Sequence, residues 1–346
     1  MTLHTVTFRP SGARIRCAPD QTIAEAALQQ GVIVPVSCEN AICQICQGER
    51  LAGAFSFRNS LGQTILEQDN QVLCCVAQPQ TDVEIYMADV YAPNHKPQVS
   101  LACQIPAVEL LGDDIWRIEL LTPAGKSADF WPGQYLLLHV RDEQGNEEQV
   151  PFSIACAPGS MNNTDPRKIE LHIANSSDNA LRIINFLRDA VVARVTLPAG
   201  DCFISKLFIQ QHKDQPLVMV AAGSGFSQIK ALIEGALALN PQQEIHLYWS
   251  NRGAEGFYLA NLPLQWAQQY ANFHYHPIIE QQSEGWHGRA GWIYQVIHED
   301  FADLSQVQMF ACGSPNMVYG TLDQLAPLGL TLANMHSDVF AYAPRD

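Results

Sequence analysis

The sequence predicts a multidomain chain in which an α+β module is followed by an antiparallel β-barrel and then by a parallel-sheet α/β module. Three observations carry that expectation. Cys38, Cys43 and Cys46 crowd one loop and are answered about thirty positions later by Cys74-Cys75. Residues 101–212 break into short alternating runs separated by turns, as in a closed antiparallel barrel. Past Gln215, continuous apolar strands alternate with helical segments, which implies a parallel sheet with both faces covered. With 346 residues the chain exceeds one ordinary core. The expected division is 1–92, a short linker at 93–100, 101–212 and 213–346.

The first module opens as a hairpin. His4, Val6 and Phe8 alternate with polar neighbours, Pro10-Ser-Gly12 turns the chain, and Ala13, Ile15 and Cys17 alternate again. Thr22-Ile-Ala-Glu25 matches a capping box, so a helix starts there with Ile23, Ala26 and Ala27 on one side. Gly31 stands where a helix C-terminus favours positive φ. Val32–Val36 then leads into the cysteine loop. Tyr91–Pro97 carries two prolines and polar spacers, the composition of a semi-stiff connector.

C-x4-C-x2-C with a distant fourth cysteine is the spacing of a plant-type [2Fe–2S] site. A tetrahedral zinc usually takes two short C-x2–4-C pairs instead. The other readings of these cysteines are a zinc site and small apolar fillers. Only one of the adjacent Cys74 and Cys75 can face a cluster, because neighbours on an extended segment point opposite ways.

Composition limits the remaining classes. The formal charge of −15 disfavours nucleic acid, whose phosphates would repel the chain. No apolar run reaches the ~18 residues of a membrane span. No basic-then-apolar leader is visible at Met1, so the ten cysteines are expected to be reduced thiols in a cytoplasmic protein.

In the barrel region, turns are expected at Gly112-Asp-Asp, Pro132-Gly133 and Asp142–Gly145, with a helix over 180–187. Beyond it, Leu217–Ala222 is a buried strand, followed by Gly223-Ser224-Gly225 and a helix using Ile229, Leu232 and Ile233. Backbone can approach a pyrophosphate at such a turn, although the G-x-G-x-x-G pattern fails at Gln228. Further strands are expected at 245–249, 273–279 and 307–311. His274 and His276 share one strand face, without a third metal ligand nearby in sequence, and read as core or surface histidines.

These motifs carry two resemblances. Hairpin, helix and metal loop in that order resemble the β-grasp fold of plant-type ferredoxins over about residues 1–90. There Cys75-Val-Ala-Gln-Pro79 looks like the family's fourth-ligand segment, which implies Cys38, Cys43, Cys46 and Cys75 as ligands. The family usually has glycine where Ala41 stands. The ordered set Gly133-Gln-Tyr135, Pro151-Phe-Ser-Ile-Ala155, Glu170-Leu-His-Ile173, Gly223-Ser-Gly-Phe226, Ile245–Trp249, Ala311-Cys-Gly-Ser314 and Ser337-Asp338 resembles the ferredoxin–NADP reductase superfamily. Within it, the likeness is to soluble NAD(P)H–flavin reductases and iron–sulfur reductases of the CDP-6-deoxy-glucoseen type.

The resemblance implies an NAD(P)H-dependent iron–sulfur flavoprotein that passes electrons through FAD or FMN and the cluster to a protein acceptor, a sugar dehydrase or an oxygenase component. It places Tyr135, Phe152 and Ser153 at the flavin, with the Ser153 hydroxyl near N5, and Cys312 beside the nicotinamide. Gly223, Ser224, Gly225 and Gly313 would receive nucleotide, Arg252 could meet a 2′-phosphate, and Phe340 and Tyr342 would cover the flavin face. NADH is preferred over NADPH. Departures at Val150, Ala174 and Ala222, where the family has arginine or glycine, leave two other readings: a free-flavin reductase with an accessory cluster, or a non-catalytic redox sensor.

Overall fold

The computed structural model describes residues 3–58, 70–91, 96–112, 114–142, 144–158 and 165–345. They fall into two compact units, Met1–Pro97 and Gln98–Asp346. Residues 93–95 of the expected linker lie outside the described residues.

The first unit is a small sheet with a helix on one face. Strands β1 (His4–Arg9), β2 (Arg14–Cys17), β3 (Gln47–Ala52), β5 (Gln71–Leu73) and β7 (Val83–Tyr86) form a sheet in the order β2-β1-β7-β3-β5. β4 (Phe55–Phe57) and β6 (Ala77–Pro79) pair separately. β1 and β2 are antiparallel, whereas β1 and β7 are parallel, which places the last strand of the unit beside the first. The helix Ile23–Gln29 starts at Thr22, whose hydroxyl accepts from the Glu25 N–H while the Glu25 carboxylate accepts from the Thr22 N–H. It buries Ile23, Ala26 and Ala27 against the sheet, as the capping box and spacing predict. Gly31 follows with φ +70°, the left-handed turn-off that only glycine makes cheaply.

The second unit holds two sheets. β8 (Val99–Leu110), β9 (Ile115–Leu121), β10 (Tyr135–Arg141), β11 (Glu147–Ser153), β12 (Lys168–Ala174) and β13 (Val192–Ala199) curl in the order β11-β10-β13-β8-β9-β12. The two edges of this curled sheet meet at one bridge, Ile154 to Leu171. Ile118, Leu120, Leu136, Leu138, Val195 and Leu197 fill its interior. β8 starts at Val99, inside the expected linker, because Val99 and Ser100 already pair with Leu197 and Thr196. The expected helix spans Asp178–Asp189, capped by Ser177.

β14 (Leu217–Ala222), β15 (Ile245–Asn251), β16 (Phe273–Ile279), β17 (Arg289–Ala290), β18 (Gln308–Cys312) and β19 (Met335–His336) form an all-parallel sheet ordered β17-β16-β15-β14-β18-β19. β15 runs two residues longer than the alternation suggests, since Ser250 pairs with Ala222 on one side and Ile278 on the other. The helix Phe226–Leu239 is buried over most of its length. The order reverses around β14, so its C-terminal end is the switch point where open α/β sheets bind ligands. Among the described residues, no helix is long and apolar enough to cross a membrane.

Candidate functional site

In the first unit, Cys38 and Cys43 lie on the loop between the helix and β3, Cys46 immediately precedes β3, and Cys75 sits in the turn between β5 and β6. Glu39, Ala41 and Gln44 adopt positive φ of 55°, 68° and 58°. Left-handed residues interspersed with others in this way turn backbone N–H groups into the concavity of a loop, where they face negative charge. The Cys43 N–H lies 3.3 Å from Cys38 Sγ. N–H groups of Cys43 and Asn40 lead the interactions that hold the Cys38 thiol down to about 6, so the loop favours the thiolate that a metal requires. At Ala41 the family's usual glycine is replaced by a residue for which the left-handed conformation is strained.

The four thiols fall into two pairs. Cys38 interacts with the Cys43 side chain, and Cys46 with the Cys75 side chain and backbone N–H. Burial first, then the neighbouring Cys75 and Cys43 thiols, push Cys46 up to about 12. No three of the four sulfurs lie within 4.8 Å of one another. A single tetrahedral zinc would draw its sulfur ligands to about 3.8 Å apart, from Zn–S bonds of about 2.3 Å. Two separated pairs fit a two-iron rhomb instead. Cys74 is fully buried, its N–H donating to the Cys46 carbonyl at 3.0 Å. Ile42 and Ile45 are more than half exposed beside exposed Cys43, so this end of the loop is open to solvent and apolar.

In the second unit, a cavity of about 690 Å³ opens between the barrel end and the parallel sheet. Tyr135, Ser153, Cys312, Asp338, Phe340 and Tyr342 are among its lining, and Gly313 is another. Residues separated by up to 207 positions are thus brought onto one wall, five of the expected flavin and nicotinamide residues included. Phe152 packs against the barrel core instead of lining the cavity. Burial and the nearby Asp338 raise Cys312 to about 12, so its thiol is neutral and serves as a shape-filling, weakly polar wall.

The glycine turn is built for close approach. Gly223–Gly225 forms one 3₁₀ turn after β14, with Gly223 at φ +54°. A Cβ on Gly225 would stand 2.3 Å from the Cys312 carbonyl oxygen, and one on Gly313 would stand 2.3 Å from the Met317 side chain. Both glycines therefore let the ends of β14 and β18 close together. A second cavity of about 450 Å³ lies past those strand ends, lined by Ala222, Ser250, Glu280, Trp292 and Ser314 among others. Ser314 caps the helix Pro315–Leu325. Its lining contains no lysine or arginine, and Arg252 is exposed and lines neither cavity. Ser224 sits in the same turn without reaching either lining.

Sequence reasoning missed Gln228 and Asp338 as a pair. At the position where the glycine pattern fails, the Gln228 amide donates to the Gly133 carbonyl at 2.6 Å and to Asp338 Oδ2 at 2.7 Å. The residue that breaks the fingerprint joins the barrel, the nucleotide helix and the C-terminal segment. Val150 is half-buried against the barrel core where the family has arginine. Lys168 and Arg167 are engaged by Glu119 at 2.7 Å and Asp165 at 3.3 Å, and both lie on the far side of the Ile154–Leu171 bridge from Val150.

Comparison with known proteins agrees with both units. Residues 6–80 match the model of the 2Fe-2S iron-sulfur cluster binding domain, and residues 219–323 match the oxidoreductase NAD-binding domain. The chain is 27% identical to the CDP-6-deoxy-L-threo-D-glycero-4-hexulose-3-dehydrase reductase of Yersinia pestis, covering 97% of this chain and 98% of that protein. It is equally 27% identical to the reductase component 1 of terephthalate 1,2-dioxygenase from Comamonas sp, over 99% of this chain and 98% of that one. A probable flavin reductase of Aliivibrio fischeri is 31% identical, with 62% of this chain and 86% of that protein aligned. At 97% and 99% of this chain, the first two alignments run through the cysteine module as well as the second unit. With paired thiols in one unit and a cavity at the switch point of the other, the chain belongs to the ferredoxin–NADP reductase superfamily, as an NAD(P)H-dependent reductase carrying a plant-type [2Fe–2S] domain.

Proposed function

We propose that this reductase draws electrons from NADH, holds FAD in the larger cavity, and delivers electrons singly to a protein partner that docks at Ile42, Cys43 and Ile45. The partner is a sugar dehydrase or an oxygenase component, the two kinds that the names of its full-length relatives give. Flavin supplies the conversion between a hydride pair and single electrons, and a [2Fe–2S] cluster carries one electron at a time. The chain's own residues bind and orient. Cys38 with Cys43 and Cys46 with Cys75 would each grasp one iron, and N–H groups of the loop offset the charge. Ser153 would offer its hydroxyl to the flavin edge, Tyr135, Phe340 and Tyr342 would wall the ring, and the neutral Cys312 would set the nicotinamide's approach. Phe152 would support Ser153 from the core side.

The choice of NADH rests on the second cavity. Its lining carries Glu280 and no cation, which repels a 2′-phosphate and tolerates a 2′-hydroxyl. Gly223, Ser224, Gly225 and Gly313 would admit the pyrophosphate to backbone, and Arg252 stays outside. None of the ten cysteines is in a disulfide, which supports a cytoplasmic setting.

The single observation behind the reading is that one chain holds both the paired thiols and a cavity walled by Ser153 and Cys312. Anaerobic titration with NADH, followed by visible absorption, tests it. Flavin and cluster bands that both bleach, with NADPH at least about tenfold less efficient in kcat/KM, support it. A cluster that stays oxidised after flavin reduction overturns it. Turnover of added FMN with no bound flavin would establish the free-flavin reductase instead. A cluster-bearing protein that never takes up flavin would be the redox sensor.

A further inference from the structure

His274 and His276 lacked a third ligand in sequence, and the fold supplies one from the next strand. β15 and β16 are parallel with His246 directly beside His274. Their imidazoles stack with centroids 4.5 Å apart and planes 29° from parallel. Glu244, the residue before β15, places Oε1 3.0 Å from His246 Nε2. One donor atom from each of Glu244, His246 and His274 lies within 4.8 Å of the other two. Among the described residues no other three histidine, cysteine or acidic side chains meet that closely.

We infer that Glu244, His246 and His274 bind a divalent transition metal of the zinc type, at a site separate from the cluster and both cofactor cavities. Two imidazoles and a carboxylate suit zinc, with a fourth position left to water. Calcium and magnesium, which take sets of oxygen ligands, do not fit this set. Zinc ligands at about 2.0–2.1 Å from the ion lie about 3.4 Å apart; Glu244 and His246 are already at 3.0 Å, and a donor at 4.8 Å need close by at most about 1.4 Å. Those that must move are free to do so: Glu244 and His274 are exposed. His246 is the fixed member, half-buried with the Phe301 ring packed edge-on at 5.0 Å. His276 stays out of the set, its Nδ1 3.8 Å from Asp300 Oδ2.

Position decides what such a metal does. His246 is near the start of β15, whereas the nucleotide cavity lies past Ser250 at its end. Four residues of strand between His246 and Ser250 span about 13 Å. A metal here ties two neighbouring strands together at the opposite edge of the sheet and takes no part in electron transfer. It stabilises the folded second unit by mass action.

The test is calorimetric titration of the full-length protein, with its cluster and flavin in place, using ZnCl2, while iron content is followed in parallel. The expected result is one equivalent of zinc bound with iron unchanged. His274→Ala and Glu244→Gln should each weaken that binding by about tenfold or more. NADH-dependent reduction of ferricyanide should be the same in all three proteins. Zinc should also raise the thermal midpoint of the wild type and leave that of His274→Ala where it was. Equal zinc binding by wild type and both variants, or no zinc uptake by the wild type, overturns the site.

Discussion

At the scale of single residues, the cluster loop is where sequence and conformation meet most directly. The spacing of Cys38, Cys43 and Cys46 was enough to expect a two-iron site, because ligand geometry is written into local chain length. Ala41 was legible as a departure, and its φ of +68° shows why glycine is usual there. Replacing Ala41 by glycine relieves about 1 kcal/mol or more of left-handed strain. It also removes a buried methyl worth about 0.8 kcal/mol and loosens the unfolded chain by about 0.4–1 kcal/mol. The terms nearly cancel, so Ala41→Gly should keep full iron content with a stability change under about 1 kcal/mol. Ala41→Val keeps the strain and adds a branched Cβ at a buried site, and should lose most of its iron by elemental analysis. The adjacent cysteines give a sharper contrast. Cys75→Ala should abolish the cluster absorption. Cys74→Ala, which leaves a small cavity behind the loop, should retain it and cost about 1 kcal/mol in urea unfolding.

At the scale of elements, apolar periodicity exposed the helix Phe226–Leu239 through Ile229, Leu232 and Ile233, but its buried polar residues could not be read from sequence. Lys230 is almost fully buried, with Nζ 2.7 Å from the Ala155 carbonyl, 3.2 Å from Glu170 and 3.1 Å from Glu234. Only Glu234, at i+4, is local; the other partners come from the barrel, 60 and 75 positions away. A pattern reader sees a lysine on a helix and assigns it to solvent. The cation lies between two carboxylates, and against the cost of burial, His172 and Lys230 hold Glu170 well below its ordinary range. Lys230→Met keeps the volume and removes the cation that both acids share; Glu170 keeps His172 and Arg117, and Glu234 keeps the Ala157 N–H, so it should destabilise the second unit by about 3 kcal/mol. Without the cation, burial weighs more heavily on the Glu170 carboxyl, and part of the loss should return as pH falls and that acid takes up a proton. All six tryptophans lie between Trp116 and Trp292, within the second unit, so their fluorescence during urea unfolding reports this unit alone.

At the scale of the molecule, the three modules expected from sequence each have their own periodicity and punctuation, while the joints that bind the last two into one unit do not. Those joints are single hydrogen bonds between distant segments, which leave no local pattern. Gln228 and Asp338 form one such joint, 110 positions apart in sequence. Burial, reinforced by Asp201, raises the Asp338 carboxyl from 3.8 to about 6, against the opposing hydrogen bonds from Gln228 and the Cys202 backbone. The folded chain therefore binds this proton more tightly than the unfolded chain does. Between pH 4 and 6, about the ordinary and the raised values, the folded state holds more protons, and stability falls as pH rises through that window. The loss is about 3 kcal/mol at most, from about 1.4 kcal/mol per pKa unit. Asp338→Asn keeps an oxygen to accept from the Gln228 amide and removes the titration. Tryptophan-detected urea unfolding across that range should show the wild type losing stability relative to the variant as pH rises. Parallel curves for the two proteins would mean that water reaches the carboxyl and that the joint does not depend on its proton.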